Sequence, residues 1–167
     1  YSDRFSTANN QAYRIDTNGQ TVTLATALSS NGGTLTKLGN GVLILSGANS
    51  YTGTTTVSTG TLRLGNASAL GTAAAGTTIS DGAVLDLNGQ AIANVEALTL
   101  NGTGLSAAGA LINSAADAAS YAGLITLNTA SSIGGTGNIT LSAAISGSVA
   151  LTKIGSNTLI LSGNNSY

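Results

Sequence analysis

GVLILSGANSYTG, residues 41–53, returns near the end of the chain as NTLILSGNNSY, residues 157–167. The match extends upstream, where Leu35-Thr36-Lys37-Leu38-Gly39 is answered by Leu151-Thr152-Lys153-Ile154-Gly155. Seventeen consecutive positions align without a gap at an offset of 116 (167 minus 51). Self-similarity of this kind marks a repeat architecture, in which one structural unit is used more than once. The repeated positions are Leu35, Lys37, Gly39, Leu43, Leu45, Gly47 and Tyr51, answered by Leu151, Lys153, Gly155, Leu159, Leu161, Gly163 and Tyr167.

The composition of the 167 residues is unusual for a folded domain. Only 7% are charged, against about 25% in ordinary soluble domains. A disordered chain is typically charged and poor in aliphatics, whereas here Leu, Ile and Val recur in short alternating runs, so the chain folds. The five basic residues, Arg4, Arg14, Lys37, Arg63 and Lys153, are scattered and the net charge is -1. No phosphate-tracking patch forms from a local cluster, and nucleic acid is not an expected partner. No apolar run approaches the roughly 20 residues that span a bilayer, so no membrane contact by this segment is expected.

From Ala12 onward, apolar residues occupy every second position in runs closed by Gly, Asn, Ser or Asp, the pattern of half-buried strands joined by cheap turns. The expected strands are 21–24, 35–38, 42–45, 54–57, 61–64, 77–79, 84–87, 97–100, 110–112, 124–127, 138–141, 150–153 and 158–161. Short strands at this spacing suit a sandwich, a barrel or a solenoid, and the repeat selects the solenoid, where each coil lies on a near copy of itself. A partial third copy agrees: Ser120-Tyr121-Ala122-Gly123 echoes Ser50-Tyr51-Thr52-Gly53. We expect an all-β fold, a β-solenoid of six to eight coils at about 20 to 25 residues each. Residues 1–11 form an irregular lead-in and 12–167 one continuous solenoid. A protruding loop is expected at 102–120, with a helical turn as an option around Ser114 to Ala119.

Alternation assigns the faces. Leu43, Leu45, Val57, Leu62, Leu64, Leu85, Leu87, Leu98, Leu100, Leu159 and Leu161 point inward, and Thr54, Thr56, Arg63, Asp86 and Thr99 point outward. Lys37 and Lys153 fall on the inward face, where we expect each to snorkel its ammonium past the corner and bond free carbonyls. Ile44 and Ile160 are outward aliphatics of the ordinary surface kind. Tyr51 packs a corner.

The inventory for chemistry is short. Histidine and cysteine are absent, which removes the commonest general base and the two best side-chain metal ligands. Of the six carboxylates only Asp81 and Asp86 are close in sequence. We read them as a turn residue and a surface residue rather than the facing pair that glycoside hydrolysis needs. Gly134-Gly135-Thr136-Gly137-Asn138 is similar to the start of a calcium-binding β-roll nonapeptide, but asparagine replaces its carboxylate; Asp86-Leu87-Asn88-Gly89 lacks the further carboxylates of a calcium loop. Both read as turns. Thr-x-Thr pairs such as Thr54 and Thr56 suggest an ice-binding face, but the pairs do not recur in every coil. No catalytic residue, cofactor or metal is expected.

The run Leu35 to Gly39, Val42 to Gly47, Asn49 to Gly53, Thr55 to Val57 and Gly60 to Gly65, resumed from Leu151 to Tyr167, resembles the autotransporter-associated β-strand repeat of bacterial passenger domains. The resemblance extends the motif to Gly53, Val57, Leu62 and Leu64. It implies a right-handed parallel β-helix in a long protein of the Gram-negative cell surface, extracellular or tethered to the outer membrane. It also implies a non-enzymatic scaffold of stalk or adhesin type, associated with passenger secretion and folding. The partners this implies are the adjacent coils, further copies stacked head to tail or laterally, and a host or matrix surface. Two other readings are a self-assembling matrix polymer without its own barrel and a carbohydrate-binding or carbohydrate-cleaving β-helix.

Overall fold

The structure, a computed structural model, describes residues 5–167; the start of the expected lead-in, Tyr1 to Arg4, lies outside the described residues. Among the described residues, eighteen short strands, all paired in parallel, wind through seven coils of a β-solenoid. The first sheet stacks β1 (Ala12–Asp16), β3 (Thr34–Leu38), β5 (Thr55–Val57), β7 (Gly76–Ile79), β10 (Ala97–Leu100), β13 (Ile125–Leu127) and β16 (Ile145–Gly147). The second stacks β2 (Thr21–Leu24), β4 (Val42–Leu45), β6 (Thr61–Leu64), β8 (Val84–Asp86), β11 (Leu111–Asn113), β14 (Ser131–Gly135) and β17 (Leu151–Lys153). A third sheet forms only from the fourth coil upward, from β9 (Ala91–Ile92), β12 (Ala119–Tyr121), β15 (Ile139–Leu141) and β18 (Leu159–Leu161).

Inward aliphatics make one continuous core because alternation sends every second side chain into the coil. Leu35, Leu43, Leu45, Val57, Leu62, Leu64, Leu85, Leu87, Leu98 and Leu100 are all buried, and in register Leu43 lies on Leu62 and Leu62 on Leu85. Outward, the first sheet carries an unbroken column, Thr36, Thr56, Thr78, Thr99 and Thr126, continued by Ser146. Thr-x-Thr pairs occupy two successive coils, Thr34/Thr36 and Thr54/Thr56, and do not extend to every coil, but one outward threonine recurs in each of the second to sixth coils. Each of them comes from a different coil, and the unequal coil lengths make the column hard to see in the linear chain.

Four strands carry no alternation signal. β9 is a single dipeptide, and β12 and β16 mix small and polar residues with single aliphatics. β14 reads SSIGG and is almost wholly buried, including Ser131 and Ser132. The GGTGN segment therefore begins in a strand and not in a turn. Gly134 has no room for a side chain, since a Cβ there would lie 2.7 Å from Ile154 Cγ1 of the next coil and 2.8 Å from the carbonyl of Ala108. Between Ser114 and Ala119 no helix forms; the helical turn sits earlier, as a 3-10 turn at Leu105–Ala107. This fifth coil is the longest. It runs from Leu98 to its register partner Ile125, a wider step along the chain than Leu35 to Thr55 or Thr55 to Thr77.

The two copies of the repeat do not lie on the same faces. Five register steps carry Leu35 of β3 to Ile145 of β16 within the first sheet. The repeat, however, places its counterpart at Leu151, in β17 of the second sheet. VLIL lies in the second sheet in its first copy, and LIL lies in the third sheet in its second. The motif has advanced five coils and one further face. Local hydrogen bonds survive the change: the side-chain oxygen of Asn49 accepts from Leu28 N at 2.8 Å and that of Asn165 from Ile145 N at 2.9 Å. Ser50 N donates to Leu28 O, and Ser166 N to Ile145 O.

Core and outward positions separate on substitution. Leu62→Ala should cost roughly 2 to 5 kcal/mol of stability, whereas Ile44→Ala, half-buried on the outer side of the same ladder, should cost less than about 1.5 kcal/mol. Urea unfolding of the two variants checks this.

Candidate functional site

Three buried polar clusters stand out from the aliphatic core. The first surrounds Lys37. Its side chain points inward from β3, as alternation requires, but it does not snorkel to solvent: Lys37 is fully buried. The ammonium donates to Leu38 O at 2.9 Å, Gly39 O at 2.7 Å, Thr59 O at 3.1 Å and Thr17 Oγ1 at 3.1 Å. Three donors thus meet four oxygens drawn from three successive coils. Burial pulls the lysine pKa below its ordinary value, and nearby Asp16 opposes that shift.

Glycine shapes this cage. Gly39 turns the corner at φ 74°, a left-handed conformation that glycine adopts without steric penalty, and its counterpart Gly155 does the same at φ 76°. Above the ammonium sits Gly60, where a Cβ would lie 2.8 Å from Lys37 Nζ and 2.5 Å from the carbonyls of Gly39 and Gly41. At the second copy, Lys153 repeats the local part of the cage, donating to Ile154 O at 3.1 Å and Gly155 O at 2.7 Å. Its third acceptor is Asn157 Oδ1 at 3.0 Å, and Asn157 stands where the first copy has Gly41. Lys153 is exposed.

The second cluster corrects the reading of Asp86 as an exposed surface residue, since it is completely buried. Its Oδ2 accepts from Arg63 Nε at 2.7 Å and from Ser114 Oγ at 2.6 Å, and its Oδ1 accepts from Asn88 N and Ser114 N at 3.0 Å each. Four donors from the third, fourth and fifth coils satisfy one carboxylate, which is the condition for holding a charge out of water. Alternation correctly puts Asp86 on the outer side of β8; the longer fifth coil then brings Ser114 over it. Asp81 is exposed at the corner between β7 and β8, so the two carboxylates do not form a facing pair.

The third cluster lies where the third side of the solenoid turns into the first sheet. Tyr51 is buried there, as a corner-packing residue, and its hydroxyl shares a 2.6 Å hydrogen bond with Thr55 Oγ1. One register step above Thr55, Thr77 Oγ1 donates to Glu96 Oε1 at 2.5 Å. Tyr121 Oη donates to the backbone carbonyl of Glu96 at 3.0 Å. Burial raises the pKa of both phenols and lifts the Glu96 carboxyl to about 7, the Thr77 hydrogen bond partly offsetting the latter. Glu96 has no counterpart in the repeat, and nothing in its local sequence marks it as buried.

Other repeat positions take these places: Gly47 and Gly53 sit at bends, Val57 is buried, and Leu151, Leu159 and Leu161 are partly covered in the seventh coil. Gly163 and the exposed Tyr167 close the described chain. Among the described residues, no group of three or more carboxylates gathers to hold a metal ion. A surface cavity of about 580 Å³ is lined by Ser80, Asp81, Asn101, Thr103 and Thr129, without an aromatic side chain.

The clusters should respond unequally to substitution. Lys37→Met strips donors from buried carbonyls and should cost roughly 1 to 3 kcal/mol, whereas Arg14→Met, on the exposed outer side of β1, should stay within about 0.5 kcal/mol. Asp86→Asn should likewise cost on the order of 2 kcal/mol, against less than about 0.5 kcal/mol for Asp81→Asn. Equal effects within either pair in urea unfolding would contradict the burial assigned here.

The passenger-associated-transport-repeat family matches residues 35–64 and 151–167. A stretch of 75 residues is 40% identical to the adhesin BmaC autotransporter of Brucella suis biovar 1 (strain 1330) and covers 45% of this chain. The chain spans only 2% of that relative's length. No solved structure matches. The segments 35–64 and 151–167 are thus copies of an autotransporter-associated repeat, built here into successive faces of one β-solenoid.

Proposed function

We propose that this chain is a non-enzymatic scaffold within a long extracellular protein of a Gram-negative cell surface, a stalk or adhesin support that also aids passenger secretion and folding. The observation that carries this reading is the unbroken stack: seven coils pair strand on strand in the first two sheets, and their buried polar groups tie coil to coil. Such a stack forms a rod. Support also comes from the family that the two repeat segments match and from the chain's likeness to an adhesin. The work assigned to the segment is to hold length and present surface, with neighbouring coils of the same chain as its first partners. A host or matrix surface would be reached through whatever the rod carries.

Residues 35–54 form one full coil, since Leu35 pairs with Thr55. Removing that coil should shorten the rod while keeping the register above and below. In cells producing the full-length protein, the deletion should slow delivery of the passenger to the surface, measured by protease accessibility over time. Unchanged delivery would remove the secretion role and leave only the scaffold. Turnover of a polysaccharide by the purified segment would overturn the non-enzymatic reading.

A further inference from the structure

Among the described residues, Glu96 is the one buried carboxyl whose surroundings do not complete its hydrogen bonding. It is 2% exposed and immediately precedes β10. Oε1 accepts from Thr77, but Oε2 is buried without a partner among the described residues. The two neighbouring hydroxyls have other partners: Tyr51 Oη shares a hydrogen bond with Thr55 Oγ1, and Tyr121 Oη donates to the carbonyl of Glu96 itself. Of the elements packed round it, the turn before β5 contributes Tyr51 and β12 contributes Tyr121. β5, β7, β9 and β10 contribute no ionisable side chain. Among the described residues no cation faces the group: Lys37 is held in its own cage, Arg63 is paired with Asp86, and Arg14 and Lys153 are exposed in the first and seventh coils.

The contrast with Asp86 is physical. Asp86 meets four donors including a guanidinium and can remain charged in the interior. At Glu96 a carboxylate would hold an unpartnered, charged oxygen out of water, which is costly, whereas a neutral carboxyl removes the charge. We propose that Glu96 is a proton-operated bolt: with its carboxyl neutral it locks the fourth and fifth coils together, and loss of the proton loosens the stack at that corner. The contacts at stake link β7, the corner before β10 and β12, so loosening acts on the middle of the rod.

The pH window follows from linkage. Burial lifts the Glu96 carboxyl from an ordinary 4.5 to about 7 in the folded chain. Between those values the folded state holds a proton that the unfolded state has released, so stability falls as pH rises through the window and levels off above it. The folding equilibrium should weaken on the order of a hundredfold across it. The sequence has no histidine or cysteine to blur the signal in this range.

The test is urea unfolding of the full chain at intervals from pH 5 to pH 8, wild type beside Glu96→Gln. The wild-type midpoint should fall steadily as pH rises, while the variant, which carries no titrating carboxyl, should hold a near-constant midpoint. Amide exchange should speed up with pH more at Leu98 and Tyr121 than at Leu43, beyond the intrinsic pH effect. A flat wild-type profile, or the same slope in the variant, would overturn the proposal. Should the variant not fold, carbon-13 NMR of the wild-type glutamate carboxyl decides: titration near pH 7 supports the bolt, and titration below pH 5.5 excludes it.

Discussion

Every coil of this molecule must present its backbone edge in register to the coil above it, and the rest of the structure answers to that constraint. So short a parallel strand has no independent stability, and its N–H and C=O groups find partners only on the neighbouring coils. The early coils keep that register with short corners, and the fifth coil keeps it while extruding its extra length as the loop around Leu105–Ala107. Insertions are tolerated at corners because the ladders on either side remain intact.

Stacking alone would make a ladder of near-identical layers, free to slip by a register step. The buried polar groups work against that. Lys37 gathers oxygens from three coils, Asp86 gathers donors from three, and Asn113 joins Gly89 N to the carbonyls of Asp117 and Asn138. Each group is satisfied only when the layers above and below are in one position. A slip would strand a charge or an amide in the core, at a cost far above that of misaligned leucines. Glu96 is the exception, and its incomplete partnering makes it the group through which proton concentration can reach the stack.

The position of the repeat adds a geometric point. The motif keeps its own hydrogen bonds at both sites although the first copy starts on the first sheet and the second on the second sheet. It is therefore a unit of strand, corner and strand, and not a unit of one whole turn. The outward side chains it carries, Ile44 and Ile160, consequently point from different faces of the rod.

Much of this was legible in the chain. Alternating leucines, turn-forming closers and the duplicated stretch determine by themselves that the fold is a stack of short strands, because period two and internal recurrence leave few other solutions. They also place Leu43, Leu62 and Leu98 inside. What only the tertiary structure decided concerns partners distant in sequence: that Lys37 is enclosed, that Asp86 is covered by Ser114, that Glu96 faces Tyr51 and Tyr121, and that five threonines line up on one face. Alternation specifies which side of a strand a residue occupies. What lies over that side depends on the lengths of the coils between, and those lengths take effect only when the stack closes.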